Sequence, residues 1–202
     1  MSEIHYPAGV RPLTENVRKN PSKSKKKPVF KVAPGNRGID FETAINQSND
    51  YYKAKGLCLI TKRPTPINVV KVDYTHGPKI THAYFEAQST TDYNGVYQGH
   101  YIDFEAKSTH SKTSFPLANI PVQQIEHLEG VLAQKGIAFF LIRFVPLKVV
   151  YLLPASYVID FYRNGKRASI PVEDIEKNGY RIEEGYMPPY DYLPVLEEAF
   201  LK

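Results

Sequence analysis

The chain has 202 residues, 42% of them hydrophobic and 23% charged, an ordinary globular mixture long enough for one good core. Its basic balance is local: residues 1–35 hold eight Lys or Arg against Glu3 and Glu15, a net of +6, so the rest of a +5 chain is nearly neutral at −1. One cysteine, Cys58, excludes an intrachain disulfide and a cysteine-ligated zinc and fits a reducing compartment; the first residues lack the apolar run of a signal peptide, and no apolar stretch is long enough to span a bilayer.

Residues 1–35 also carry five prolines and almost no apolar periodicity, which predicts an arm that is disordered or loosely attached when free. Such an arm either lies along a phosphate backbone, releasing counterions as it neutralises charge, or serves only solubility. Next, "IDFETAINQSNDYYKAKG" places Phe41, Ile45, Ser48 and Tyr52 at helical spacing, with Asp40 as the cap and Gly56 as the stop. "LCLITKRPTPINVVKVDY" predicts two strands, Leu57 to Ile60 and Ile67 to Tyr74, split by Pro64 and Pro66. Cys58, inside the apolar run, reads as a small core residue. "THGPKITHAYFEAQ" predicts a basic turn and another extended run.

The stretch "STTDYNGVYQGHYIDFEAKST", residues 89–109, places an aspartate, glycine-punctuated turn residues and a short alternating run ending Glu-Ala-Lys close together. Ile102, Phe104 and Ala106 alternate with Tyr101, Asp103, Glu105 and Lys107, the period of a strand with one buried face. Tyr93-Asn94-Gly95 and Gln98-Gly99 read as turns, so a hairpin would return Asp92 toward Glu105. Two carboxylates and a lysine then converge; the plainer reading is a wet strand face on which Glu105 and Lys107 form an ion pair.

A helix from about Pro121, with Ile125, Leu128 and Leu132 inward and Gly136 closing it, precedes two apolar strands, "IAFFLIRF" and "KVVYLLP". Helices near 155–163, 172–177 and 192–201 complete the chain. This order predicts an α/β protein with one mixed central sheet flanked by helices. There is no GxGxxG fingerprint or P-loop, and His82, His100, His110 and His127 show no HExxH spacing, which disfavours nucleotide chemistry and a histidine zinc site.

A glutamate on the first helix, then an aspartate, then (D/E)-x-K on a strand resembles the PD-(D/E)xK nuclease superfamily. More specifically, "KRPTPINVVKV", "AYFEAQSTTDYNGVYQGHYIDFEAK", "KTSFPLANI" and "QQIEHL" resemble the RecU family of Holliday junction resolvases, from about Asn36 to the last helix. The resemblance implies a restriction-endonuclease-like fold: a nuclease domain over 36–202, a projecting stalk at about 71–83, and a basic arm over 1–35. It implies paired symmetric nicking of four-way junction DNA by a homodimer during recombination and repair, with Mg²⁺, or Mn²⁺ in its place, as cofactor. A strand-exchange recombinase and a branch-migration motor are the implied partners, and the implied location is cytoplasmic and nucleoid-associated.

Carried onto this sequence, the family's metal shell falls on Asp92, Glu105, Thr90 and Gln124, with the Ala106 carbonyl as a further ligand. Two carboxylates with neutral oxygen donors suit Mg²⁺. Lys107 would stabilise the pentacovalent transition state or orient water as a cation, Glu42 would bind a second metal or order water, and Asp103 would give supporting hydrogen bonds. DNA contacts are expected from Lys23, Lys25, Lys26, Lys27, Arg37, Lys62, Arg63, Lys79 and Lys112. "THGPKITH" is less basic than the family's stalk, and Ser108, His110 and Ser111 replace more charged family residues. The rival readings are a related PD-(D/E)xK endonuclease acting on duplex or branched DNA and a mainly architectural junction-binding or recombinase-regulating protein.

Overall fold

The computed structural model describes residues 40–85 and 90–202. In chain order the elements are α1 (Phe41–Lys55), β1 (Leu59–Lys62), β2 (Ile67–Asp73), β3 (Lys79–Phe85), β4 (Tyr93–Tyr97), β5 (His100–Thr109), β6 (Ser114–Pro116), α2 (Val122–Ala133), β7 (Ile137–Phe144), β8 (Val149–Pro154), α3 (Ala155–Asn164), β9 (Ser169–Pro171), α4 (Val172–Asn178), β10 (Tyr180–Ile182) and α5 (Leu193–Phe200). Six strands form one mixed sheet in the order β1-β4-β5-β7-β8-β10, in which β5 and β7 run parallel and the other neighbours antiparallel. This is the expected sheet flanked by helices.

Each sheet face supports its own core. One contains Phe41, Ile45 and Tyr52 of α1 and Leu193 and Leu196 of α5 over Ile102, Phe104, Phe139 and Leu152; the other contains Ile125 and Leu128 of α2 and Val158 of α3 over Phe140, Ile142 and Leu153. Strand β5 is therefore buried on both sides, and the wet polar face is not what forms: Asp103 is 0% exposed and Glu105 1%. A lone alternating strand cannot reveal this, because the cover on its polar face comes from the crossover helix between parallel neighbours β5 and β7.

Helix α1 ends at Gly56, whose φ of 69° lets its N–H reach Lys53 O at 3.1 Å while Leu57 N–H reaches Tyr52 O at 2.9 Å. Asp40 makes no side-chain capping bond. Strand β1 starts at Leu59, two residues later than predicted, and the Cys58 thiol is half-buried against the core, its pKa pushed up to about 11 by burial. Tyr93-Asn94-Gly95 is strand and not turn. Gly95 is needed there for close approach, since a Cβ would lie 2.0 Å from Leu59 O on β1. The turn is Gln98-Gly99, with φ of 48° and 81°.

Among the described residues, strands β2 and β3 pair only with each other, from Ile67 opposite Phe85 to Asp73 opposite Lys79. Their side chains are mostly exposed, Val70, Tyr84 and Phe85 among them. The segment expected as the stalk lies within this hairpin. Short strands β6, β9 and β10 had no sequence signal, because three residues are too few to establish a period.

Candidate active site

The β4–β5 register places Tyr93 opposite Phe104, so Asp92 and Glu105 meet one step further from the turn. Asp92 N–H donates to Glu105 Oε2 at 3.0 Å, and Ala106 N–H donates to Asp92 Oδ2 at 3.1 Å. Lys107, on the same face of β5, brings Nζ within 2.7 Å of Glu105 Oε1. From α2, Gln124 Nε2 donates to that same oxygen at 2.7 Å. Three donors do not fully offset the desolvation of this carboxylate: burial, then the Asp92 charge, push its pKa up to about 7 against the opposing pull of Lys107.

Glu42, in the first turn of α1, is ion-paired with Lys62 at the end of β1, and that hydrogen bond holds the lysine's pKa above its usual range. Between α1 and the sheet, Tyr93 donates its hydroxyl to Glu42 O at 3.1 Å and Asn46 Oδ1 at 3.0 Å. Burial raises the Tyr93 phenol pKa, as do the surrounding charges of Glu42, Asp92, Asp40 and Glu105. The predicted carboxylates thus share one neighbourhood, but Glu42 enters it already engaged with a cation.

One pleat from Glu105, Asp103 gathers more partners than its supporting role suggested. Its Oδ2 accepts from Arg63 Nη2 at 2.6 Å and Tyr101 Oη at 2.9 Å, and His127 Nε2 lies 2.9 Å from it; its Oδ1 accepts from the Thr91 hydroxyl. The alternation puts Tyr101 on the face of Asp103, but the sequence alone does not assign Thr91 or His127 to this neighbourhood. A signal existed for His127, which lies three residues beyond Gln124 on α2 and so shares its side of the helix.

A divalent cation fits this donor set. Gln124 Oε1 is buried and has no hydrogen-bond partner among the described residues, so a strong acceptor lies unused beside two carboxylates, one of them buried against its own charge. Thr90, half-buried two residues before Asp92, offers another neutral oxygen. Among the described residues no three His, Cys, Asp or Glu side chains cluster as metal ligands; two carboxylates with neutral oxygens are donors of the type a hard cation takes.

Of the expected DNA contacts, Lys79 and Lys112 are exposed, Lys62 is paired with Glu42, and Arg63, with 24% of its side chain exposed, is paired with Asp103. Lys23, Lys25, Lys26, Lys27 and Arg37 lie outside the described residues. No helix among the described residues is long and apolar enough to cross a membrane.

The family model for Recombination protein U, RecU, matches residues 36–198. The chain belongs to the RecU family. It is 53% identical over 180 residues to a Lactococcus lactis subsp. cremoris protein named Holliday junction resolvase RecU, covering 87% of this chain and 84% of that one. A Streptococcus uberis protein of the same name is 48% identical over 201 residues, covering 98% and 97%. Among solved structures, the Holliday junction resolvase Hjc of Archaeoglobus fulgidus aligns with a TM-score of 0.40 and 10% identity, covering 68% of this chain and 94% of that one. The RecU match includes α1 with Glu42, the β4–β5 hairpin and Gln124.

Proposed function

We propose that this protein is a structure-specific endonuclease that resolves Holliday junctions by divalent-metal-dependent paired nicking in homologous recombination and repair. The observation that carries the reading is the convergence of Asp92, Glu105, Lys107 and the unpartnered Gln124 Oε1 within a RecU-family chain. Asp92, Glu105, Gln124 and Thr90 would hold Mg²⁺ or Mn²⁺. When bound, the ion supplies charge neutralisation at the phosphoryl oxygens and a more acidic water. Lys107 directs its ammonium over the same face and stabilises the negative charge that grows on phosphorus oxygens in the transition state. Glu42, engaged by Lys62, orders water at the edge of the site.

A junction has no single sequence, so selection must come from shape. A homodimer with two-fold symmetry would present two sites to strands of like polarity, giving symmetric nicks. The exposed β2–β3 hairpin, with Lys79, suits insertion at the junction centre, and the basic residues of the arm, together with Lys112, suit contact with duplex phosphates. A strand-exchange recombinase and a branch-migration motor are the partners that fit this role, in a cytoplasmic, nucleoid-associated setting.

The test uses end-labelled four-way junctions and matched linear duplex, with Mg²⁺, with EDTA, and with Glu105→Gln. Symmetric nicks near the crossover that require metal and disappear in the variant are the expected result. Junction binding without cleavage in any divalent metal would overturn the enzymatic reading, and equal cleavage of linear duplex would overturn the junction specificity.

A further inference from the structure

We infer that Asp103 is a positioning residue for the nuclease centre: through Thr91 and Arg63 it fixes the backbone that carries Asp92. The inference rests on the reading of Asp92 as a residue of the cleavage site.

Asp92 lies immediately outside the β4 ladder, whose pairing with β5 begins at Tyr93, so sheet hydrogen bonding does not by itself fix its place. Beyond its two bonds to Glu105 and Ala106, two further tethers hold it, and both lead to one carboxylate. In the first, the Thr91 hydroxyl donates to Asp103 Oδ1, holding the residue next to Asp92 against β5. In the second, Arg63 N–H donates to Asp92 O at 2.7 Å while the Arg63 guanidinium donates to Asp103 Oδ2 at 2.6 Å. Arg63 thus grips Asp92 with its main chain and Asp103 with its side chain. Tyr101 and His127 fill out the remaining sites around Oδ2.

Asp103 is 0% exposed and Thr91 0% exposed. A buried carboxylate held by a guanidinium and two hydroxyls has little freedom, because releasing any donor leaves charge without solvent to replace it. That rigidity passes to Asp92, whose oxygens must be placed within a fraction of an ångström for a metal-assisted displacement. Groups that orient ligands in this way typically change metal affinity or activity by about 10- to 100-fold when removed. Arg63 then contributes through position more than through phosphate contact.

The test compares Asp103→Asn, Thr91→Val, Thr91→Ser and Asp92→Asn in the full chain. In the metal-free protein, amide hydrogen exchange over residues 90–93 should accelerate in Thr91→Val and Asp103→Asn and stay near wild type in Thr91→Ser. Single-turnover junction cleavage should fall about tenfold or more in Thr91→Val at unchanged junction affinity, and Thr91→Ser, which keeps the hydroxyl, should restore it to within about threefold. Thr91→Val decides the matter even if Asp103→Asn fails to fold. Wild-type exchange and cleavage in Thr91→Val, with Asp92→Asn inactive, would overturn the positioning role and leave the cleavage site standing. Wild-type cleavage by Asp92→Asn would instead remove the site assignment, and this inference with it.

Discussion

Asp92 and Glu105 are interlocked through the backbone as well as by proximity: the Asp92 amide donates to the Glu105 carboxylate at 3.0 Å, and the Asp92 carboxylate accepts from the amide that follows Glu105 at 3.1 Å. Each side chain therefore fixes the other strand's main chain. Two anions are held together by geometry despite their repulsion, a natural arrangement for a cation.

Neutral isosteres preserve that shape and remove the charge. Asp92→Asn and Glu105→Gln should each lower junction cleavage by about 10²-fold or more, with junction affinity in gel shifts nearly unchanged. Loss of binding in parallel with cleavage would place these residues in DNA contact instead.

Glu105 also gives the folded protein a pH dependence. Its pKa rises from an ordinary 4.5 to about 7 on folding, so between those values the folded state binds more protons than the unfolded state. Stability from this group is fully present below about 4.5 and is lost as pH rises through about 7. Thermal unfolding of metal-free protein should thus show a downward component over that window, and Glu105→Gln should remove it. The difference in slope between the two proteins is the measurement.

A cation held at the proposed site would reverse the penalty. Above pH 7, Mg²⁺ should raise the melting temperature of wild type with the logarithm of its concentration once that exceeds Kd, and Glu105→Gln should abolish the rise. EDTA should return the wild-type value and stop cleavage.

Lys107 lowers the Glu105 pKa and faces the same site. Lys107→Met should reduce the cleavage rate by about 10²-fold and shift the rising limb of the pH–rate profile to higher pH, because Glu105 then holds its proton longer. A fall in rate without that shift would separate the two effects.

Gly95→Ala tests the frame that carries Asp92. A Cβ 2.0 Å from Leu59 O forces β1 and β4 apart, and a loss of about 1 to 3 kcal/mol is expected in denaturant unfolding.

Local pattern determined much of this protein. The alternation from Tyr101 to Lys107 identified β5, the spacing of Phe41, Ile45, Ser48 and Tyr52 identified α1, and the turn at Gln98-Gly99 returned Asp92 to Glu105, because each signal spans only a few residues. What the sequence could not decide lay in contacts between distant segments. Gln124 meets Glu105 across 19 residues, His127 meets Asp103 across 24, and Arg63 meets Asp103 across 40. Periodicity shows which residues share a face but not what covers that face. Only the crossover carrying α2 over β5 buried Asp103 and Glu105, raised the cost of the Glu105 charge, and so turned a strand that could have been wet into a pocket whose donors suit a cation.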